Sequence, residues 1–374
     1  MQIGIDARMY GPNVGGGGLG RYVEQFVKEL PSVDQKNRYV LFVKENGGWK
    51  NKVFAPTIET KQIDIHWYTL KEQLLLAPMM DKAHLDLIHF PHWNVPVGIK
   101  TPFVVTIHDL ILLSQPHSAR ATTRNQLVYH LKYQGFKYVL SHAVRASKKI
   151  ITVSEATKAD ILKHFPDVSA EKICVIYEGI TSLPRPTEPP SPWTKAPYLL
   201  YVGNAYPHKN LETLLAAFQL LHEKFPDLHL FFAGRADVFS ERLQEKIEKM
   251  TEHAFIHFVP DPTDERLTEL YAKALVYVFP SLIEGFGLPP LEAMSQSVPV
   301  AASDIPCLRE ILGEAAAFFP PNDPEQIAKT IAELVEDKSK REALIFAGKQ
   351  RIKAYSWKTM TKEIVSVYEQ CAQK

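Results

Sequence analysis

Six prolines fall within residues 181–197 (Pro184, Pro186, Pro189, Pro190, Pro192 and Pro197). A run that rich in proline continues neither a helix nor a central strand, and it reads as an extended, semi-rigid linker. It divides the 374 residues into two halves, each long enough to own a core. Both halves repeat one pattern, in which short apolar runs alternate with helical stretches. Parallel sheets flanked by crossover helices produce that pattern. The expected fold class is therefore α/β, with two doubly wound Rossmann-like domains facing across a cleft. Ligands are expected at the carboxyl ends of the strands.

In the first half, strands are expected over 2–7, 39–44, 63–67, 87–90, 103–107, 149–153 and 173–177. Helices are expected over 19–30, 121–147 and 155–165, the last capped by Ser154. In the second half, strands are expected over 198–202, 228–233, 255–259, 275–279, 298–302 and 316–319. Its helices are expected over 211–224, 241–250, 265–272, 291–296, 325–336 and 340–355, with a last helix over 357–373.

Composition excludes several classes. The formal net charge of +1 gives no global field for nucleic acid. No apolar run approaches the roughly 20 residues that span a bilayer. The N-terminus enters strand-like sequence at once, without a leader pattern. Cys174, Cys307 and Cys371 lack paired spacing and read as free thiols in a reducing compartment. The expected location is cytoplasmic, with peripheral contact at the inner membrane face left open. Lys132, Lys137, Arg145, Lys148 and Lys149 read as a solvated helix face, with anionic lipid as the alternative partner.

The stretch Ser281-Leu282-Ile283-Glu284-Gly285-Phe286-Gly287-Leu288-Pro289-Pro290-Leu291-Glu292 follows an apolar strand and opens a helix. Gly285 and Gly287 let backbone approach a ligand, and helix-start N–H groups attract anions. Seven residues separate Glu284 from Glu292, which is expected in the first helical turn. Taken singly, these residues also read as a turn and as a dipole-complementing Glu. Together they resemble the signature of the retaining family 4 glycosyltransferases, of the GT-B class. The resemblance implies that Phe286, Gly287 and Leu288 contact the donor diphosphate, Glu284 faces the transferred sugar and Glu292 holds the ribose.

That resemblance extends along nearly the whole chain and is weakest over 46–82. It implies an acceptor-side domain over 1–180, a linker over 181–197, a nucleotide-sugar domain over 198–356, and a segment 357–374 crossing back to the first domain. In the glycine run before helix 19–30, Gly16 and Gly17 resemble the family's donor-side loop. Gly15, Gly17 and Gly20 formally match a dinucleotide fingerprint, but seven residues separate Ala7 from Gly15. A mobile surface loop is the other reading.

His108 ends a strong apolar strand, where ligands bind, and Asp109 is placed to orient it. The sequence around it resembles the mannosyltransferase-like branch, in which this His contacts the transferred sugar. His89 and His92 are spaced His-x-x-His without a carboxylate partner of metal-site spacing. Lys209 precedes a long helix, where a cation opposes the dipole unless an anion lies between. The family resemblance sets it on the diphosphate. Asn204 stands where the family has Arg, with His208 or Arg235 as candidate replacements. Val259 is expected at the base pocket, because the following Pro260 has no N–H to donate. There is no Asp-x-Asp, so no metal is expected to hold the diphosphate.

The expected catalytic residues are thus His108, Glu284 and Lys209. Donor binding is expected from Gly16, Gly17, Asn204, Val259, Phe286, Gly287, Leu288 and Glu292. No cofactor or metal is expected beyond the nucleotide-sugar substrate. The reaction implied is retaining transfer of a hexose, mannose by the branch resemblance and hence from a guanine nucleotide. The acceptor is a glycan or a lipid-linked glycan. Alternatives are an epimerase or phosphorylase on the same fold, an NAD-dependent oxidoreductase, and a non-catalytic sugar-nucleotide-binding subunit.

Overall fold

The computed structural model describes residues 1–11, 14, 17–45, 47–50, 52–116, 126–181 and 196–372. These residues form two compact units, each built on its own parallel sheet.

The first unit contains seven strands: β1 (Gln2–Asp6), β2 (Arg38–Val43), β3 (Ile58–Gln62), β4 (Leu87–Phe90), β5 (Phe103–Ile107), β6 (Lys149–Thr152) and β7 (Ile173–Val175). Their order across the sheet is β3-β2-β1-β4-β5-β6-β7, all parallel. The reversal beside β1 is the topological switch point of a doubly wound sheet. Crossovers carry α1 (Gly18–Val33), α2 (Leu70–Asp81), the short α3 (Ile111–Ser114), α4 (Gln126–Ala146) and α5 (Glu155–His164). Val104, Val105, Ile107, Ile88 and Ile150 are fully buried, as strands covered on both faces require.

The second unit contains β8 (Tyr198–Val202), β9 (His229–Gly234), β10 (Ile256–Pro260), β11 (Val276–Phe279), β12 (Val300–Ser303) and β13 (Ala316–Phe319), in the order β10-β9-β8-β11-β12-β13. Its helices are α6 (Leu211–Lys224), α7 (Val238–Ile247), α8 (Asp264–Lys273), α9 (Leu288–Ser295), α10 (Pro306–Leu312), α11 (Pro324–Glu336) and α12 (Lys338–Arg351). The last helix, α13 (Trp357–Ala372), belongs to the first unit and packs along α1.

Two buried contacts seat α13. The Tyr368 hydroxyl lies 2.6 Å from His89 Nδ1, and His89 Nε2 lies 2.8 Å from the Thr106 hydroxyl. Burial pushes the His89 imidazole down to about 3, so it stays neutral and structural. The second contact is at Gly179, where an added Cβ would lie 2.1 Å from the Trp357 backbone nitrogen.

Three local expectations fail. The strand expected over 63–67 is replaced by β3 at Ile58–Gln62, whose pairing with β2 ends as the Ile63 N–H donates to Val43 O. Helix α2 went unrecognised because Leu70, Leu74, Leu75 and Met79 are exposed and Pro78 interrupts it. Its start signal was present: the Thr69 hydroxyl accepts from the Glu72 N–H at 3.1 Å. Helix α9 begins at Leu288, with both prolines tolerated in its first turn, so Glu292 lies beyond that turn rather than within it.

Gly179→Ala should destabilise the protein by about 2 kcal/mol through overpacking against Trp357. A denaturant midpoint unchanged from wild type would contradict this docking of α13.

Candidate active site

In the second unit the loops after β8, β9, β11 and β13 meet at the carboxyl edge of the sheet. The β8 and β9 loops touch backbone to backbone: a Cβ on Gly234 would fall 1.9 Å from Gly203 O. After β8 the chain turns through Pro207–Lys209 and enters α6 at Asn210, which adopts a left-handed backbone with φ 60°. Asn210 is buried. Its Nδ2 donates to Pro280 O at 3.0 Å and to Pro321 O at 2.7 Å, and its Oδ1 accepts from the Thr213 hydroxyl at 2.6 Å. The Leu282 N–H donates to His208 O at 2.8 Å. These bonds fix the β8 loop against the loop that carries Glu284.

Lys209 and Glu284 are thereby brought together. Lys209 Nζ lies 2.5 Å from Glu284 Oε1, with the side chains 13% and 9% exposed. The ammonium also stands 5.4 Å from the centre of the Phe279 ring. The anion that offsets Lys209 beside α6 is therefore the protein's own carboxylate. A buried cation needs such a partner.

Gly287 caps α9 with φ 97°, and a Cβ there would lie 2.9 Å from Leu308 Cδ2. Only glycine adopts that backbone freely. Pro289 and Pro290 have no N–H, which confines helix-start donors to Leu288 and the residues before it. Phe286 is buried, and its carbonyl accepts from Cys307 Sγ at 3.4 Å. Glu292 is buried one turn further, with its Oε2 accepting from the Tyr271 hydroxyl at 3.3 Å.

The surrounding residues complete the picture. Asn204 O accepts from the Tyr201 hydroxyl at 2.7 Å, and Asn204 Oδ1 accepts from the Tyr206 N–H at 3.4 Å. His208 is buried, and burial together with the neighbouring Lys209 charge pushes it down to about 4. It is neutral at neutral pH and does not replace the family's Arg as a cation. Arg235 is exposed just beyond β9. Val259 pairs with Ala233 on β10, an edge strand, which is why Pro260 is tolerated there.

In the first unit, His108 follows β5. Its Nδ1 lies 3.1 Å from Glu178 Oε1 and its Nε2 lies 2.9 Å from Pro91 O. Burial opposes a charge on the ring. The Glu178 carboxylate, the Pro91 carbonyl and Asp109 together outweigh it and raise the imidazole above its ordinary value. Tyr22 meets the ring edge-on at 4.7 Å. Asp109 does not orient the ring through a bond: its Oδ1 accepts from the Ile111 N–H at 2.9 Å, and Glu178 holds the imidazole instead. Gly17 caps α1 with φ 81°, whereas Gly16 and Gly15 lie outside the described residues.

Sequence reasoning missed Glu178, Asn210 and Tyr271. Only Asn210 carried a signal, since Asn before a helix is a capping residue. Among the described residues, no group of three or more His, Cys, Asp or Glu side chains is placed to hold a metal ion. No helix among them is long and apolar enough to cross a membrane.

The fold and the glycine-framed carboxylates define a GT-B glycosyltransferase. Residues 16–182 match the family described as Glycosyltransferase Family 4, and residues 187–351 match that described as Glycosyl transferases group 1. The O-antigen chain mannosyltransferase B of Escherichia coli is 30% identical over 300 residues, covering 76% of this chain and 74% of that protein. The O-antigen chain mannosyltransferase RfbU of Salmonella typhimurium is 29% identical over 257 residues, covering 69% and 67%. A sucrose-phosphate synthase from Thermosynechococcus elongatus superposes with a TM-score of 0.78 at 20% identity, covering 99% of each chain. The chain belongs to the group 1, family 4 glycosyltransferases and is a hexosyltransferase of GT-B fold. That membership sets aside the oxidoreductase reading of the glycine run.

His108 binds its second proton more tightly than a free imidazole, so its stabilising pair with Glu178 is complete below the ordinary value of 6.5. The pair is lost as pH rises through the raised folded value. Glu178→Gln should lower the titration midpoint of the His108 ring, followed by NMR. An unchanged midpoint would show that Glu178 does not set the charge.

Proposed function

We propose that this protein transfers a mannose residue, with retention, from a guanine-nucleotide diphosphate sugar to a glycan or lipid-linked glycan in cell-surface polysaccharide synthesis. The observation that carries the donor reading is the Lys209–Glu284 pair, held at the strand ends beside α9. The two O-antigen mannosyltransferases above favour mannose and a polysaccharide product.

In this reading the donor diphosphate lies against the backbone of Phe286, Gly287 and Leu288. The α9 dipole and the Lys209 ammonium stabilise the charge that grows on the leaving phosphate. No metal or cofactor takes part. The buried Glu292 carboxylate, set by Tyr271, receives the ribose hydroxyls. Glu284 receives hydroxyls of the sugar once the diphosphate takes over the Lys209 charge. Asn204 and Val259 line the donor at its phosphate and base ends, and Arg235 supplies the second cation.

His108, with both ring nitrogens engaged by Glu178 and the Pro91 carbonyl, orients and polarises the transferred sugar rather than removing a proton. The acceptor hydroxyl attacks on the face from which the diphosphate departs, and the departing phosphate oxygen takes its proton. The protein works in the cytoplasm, peripherally at the inner membrane face if its acceptor is lipid-linked.

A thermal-shift panel of GDP, UDP, ADP and NAD without metal tests this reading. GDP at 100 times its dissociation constant should add about 2.7 kcal/mol to wild type. Glu292→Ala should lose most of that gain. A shift with UDP alone would overturn the guanine assignment, and a shift with NAD alone would overturn the donor site.

A further inference from the structure

The first unit carries a second built feature at the carboxyl ends of its strands, in the region where the family resemblance is weakest. Tyr68 is 53% exposed and adopts φ 61°. A bulky aromatic side chain rarely takes that backbone, and such residues persist only where the surroundings impose them. Here the Tyr68 N–H donates to Glu72 Oε2 at 2.8 Å. Glu72 Oε1 in turn accepts from Arg8 Nη2 and Asn94 Nδ2, both at 2.6 Å. Arg8 is buried and also donates to Asp6 at 2.7 Å and to Ile65 O at 3.1 Å. A buried ionic network thus holds one exposed ring in place.

That ring stacks on Trp93, with centroids 5.1 Å apart and planes 19° from parallel. Trp93 is backed by Phe136, edge-on at 4.7 Å. His92 stands 5.9 Å from Tyr68 and 6.2 Å from His108, so the aromatic surface runs on to the candidate catalytic imidazole. His92 Nδ1 is buried without a hydrogen-bond partner. Burial and the neighbouring His108 charge keep the His92 ring neutral, with one nitrogen to donate and one to accept. A buried polar atom left unmatched beside a fixed aromatic face points to a ligand that supplies the missing bond.

We propose that Tyr68, stacked on Trp93 and flanked by His92, is the platform on which a hexopyranose ring of the acceptor glycan stacks. The proposal rests on the glycosyl-transfer reading and names the acceptor chemistry. A pyranose presents C–H groups on one face and hydroxyls at its edge. The C–H face complements the negative face of an aromatic ring. The edge reaches a neutral imidazole. A lipid tail has no hydroxyls to offer the His92 imidazole beside that ring, so the occupant is the sugar. Leu70 and Leu74, exposed on the same segment, give a lipid its rival foothold.

The test uses methyl α-glycosides of mannose, glucose, galactose and N-acetylglucosamine, with saturation-transfer NMR on the full chain. Tyr68→Gly removes the ring while suiting the left-handed backbone, and Tyr68→Phe keeps the ring. One glycoside should bind wild type through its C–H protons. Tyr68→Phe should bind it within about twofold, and Tyr68→Gly about tenfold more weakly, which is the scale of one aromatic face. Thermal shifts with GDP should be the same in all three. Equal glycoside binding by Tyr68→Gly would overturn the platform. So would binding of phosphatidylglycerol vesicles, but of no glycoside, that Tyr68→Gly abolishes. Failure of wild type to bind any nucleoside diphosphate strikes the donor reading alone, because the glycoside arm is read separately.

Discussion

One buried side chain organises the second unit. Asn210 crosses from the end of β8 to the carbonyls of Pro280 and Pro321, so three strand-end loops are tied by one carboxamide. Its left-handed backbone turns the chain so that Lys209 points to Glu284 while α6 begins immediately after. Both prolines present carbonyls and neither can donate. An aliphatic residue at 210 would leave those two acceptors buried and unmatched, at a cost of about 1–3 kcal/mol each. The signature loop after β11 is therefore held from below before any ligand arrives, as electrostatic preorganisation requires.

Each candidate catalytic cation carries its own carboxylate: Glu284 for Lys209 and Glu178 for His108. Burial explains the pairing, since an isolated charge in either place would be neutralised by a shifted protonation equilibrium. The two pairs differ in what they permit. Lys209 keeps further N–H donors, so a phosphate can share it and release Glu284 toward the sugar. His108 has both nitrogens engaged by protein acceptors, which suits a fixed positive edge and not a proton shuttle. The same logic recurs at Arg8, Asp6 and Glu72, where the paired charges hold a loop rather than a reacting group.

Much of the architecture was readable from the chain because parallel strands are apolar throughout. Runs such as Phe103–Ile107 and Tyr198–Val202 leave little else to be. The strand ends located His108, Lys209 and Glu284, and the family resemblance supplied their roles. What could not be read depends on contacts distant in sequence. Glu178 meets His108 across 70 positions and Asn210 meets Pro321 across 111, separations that no local pattern encodes. Helix α2 failed for another reason: Leu70, Leu74 and Leu75 face outward while Leu76 is buried, so its period signals no core. The inference that an external anion must offset Lys209 assumed that no carboxylate of the chain was near, and Glu284 supplies one.

The most direct measurement is a crystal structure of the protein with GDP-mannose bound in the absence of metal. The diphosphate should lie against the backbone of Phe286, Gly287 and Leu288 with Lys209 Nζ in contact. The ribose should be on Glu292, and Glu284 should have turned from Lys209 to the sugar hydroxyls. A nucleotide bound instead at the glycine run before α1, with the Lys209–Glu284 pair intact, would contradict the donor site proposed here.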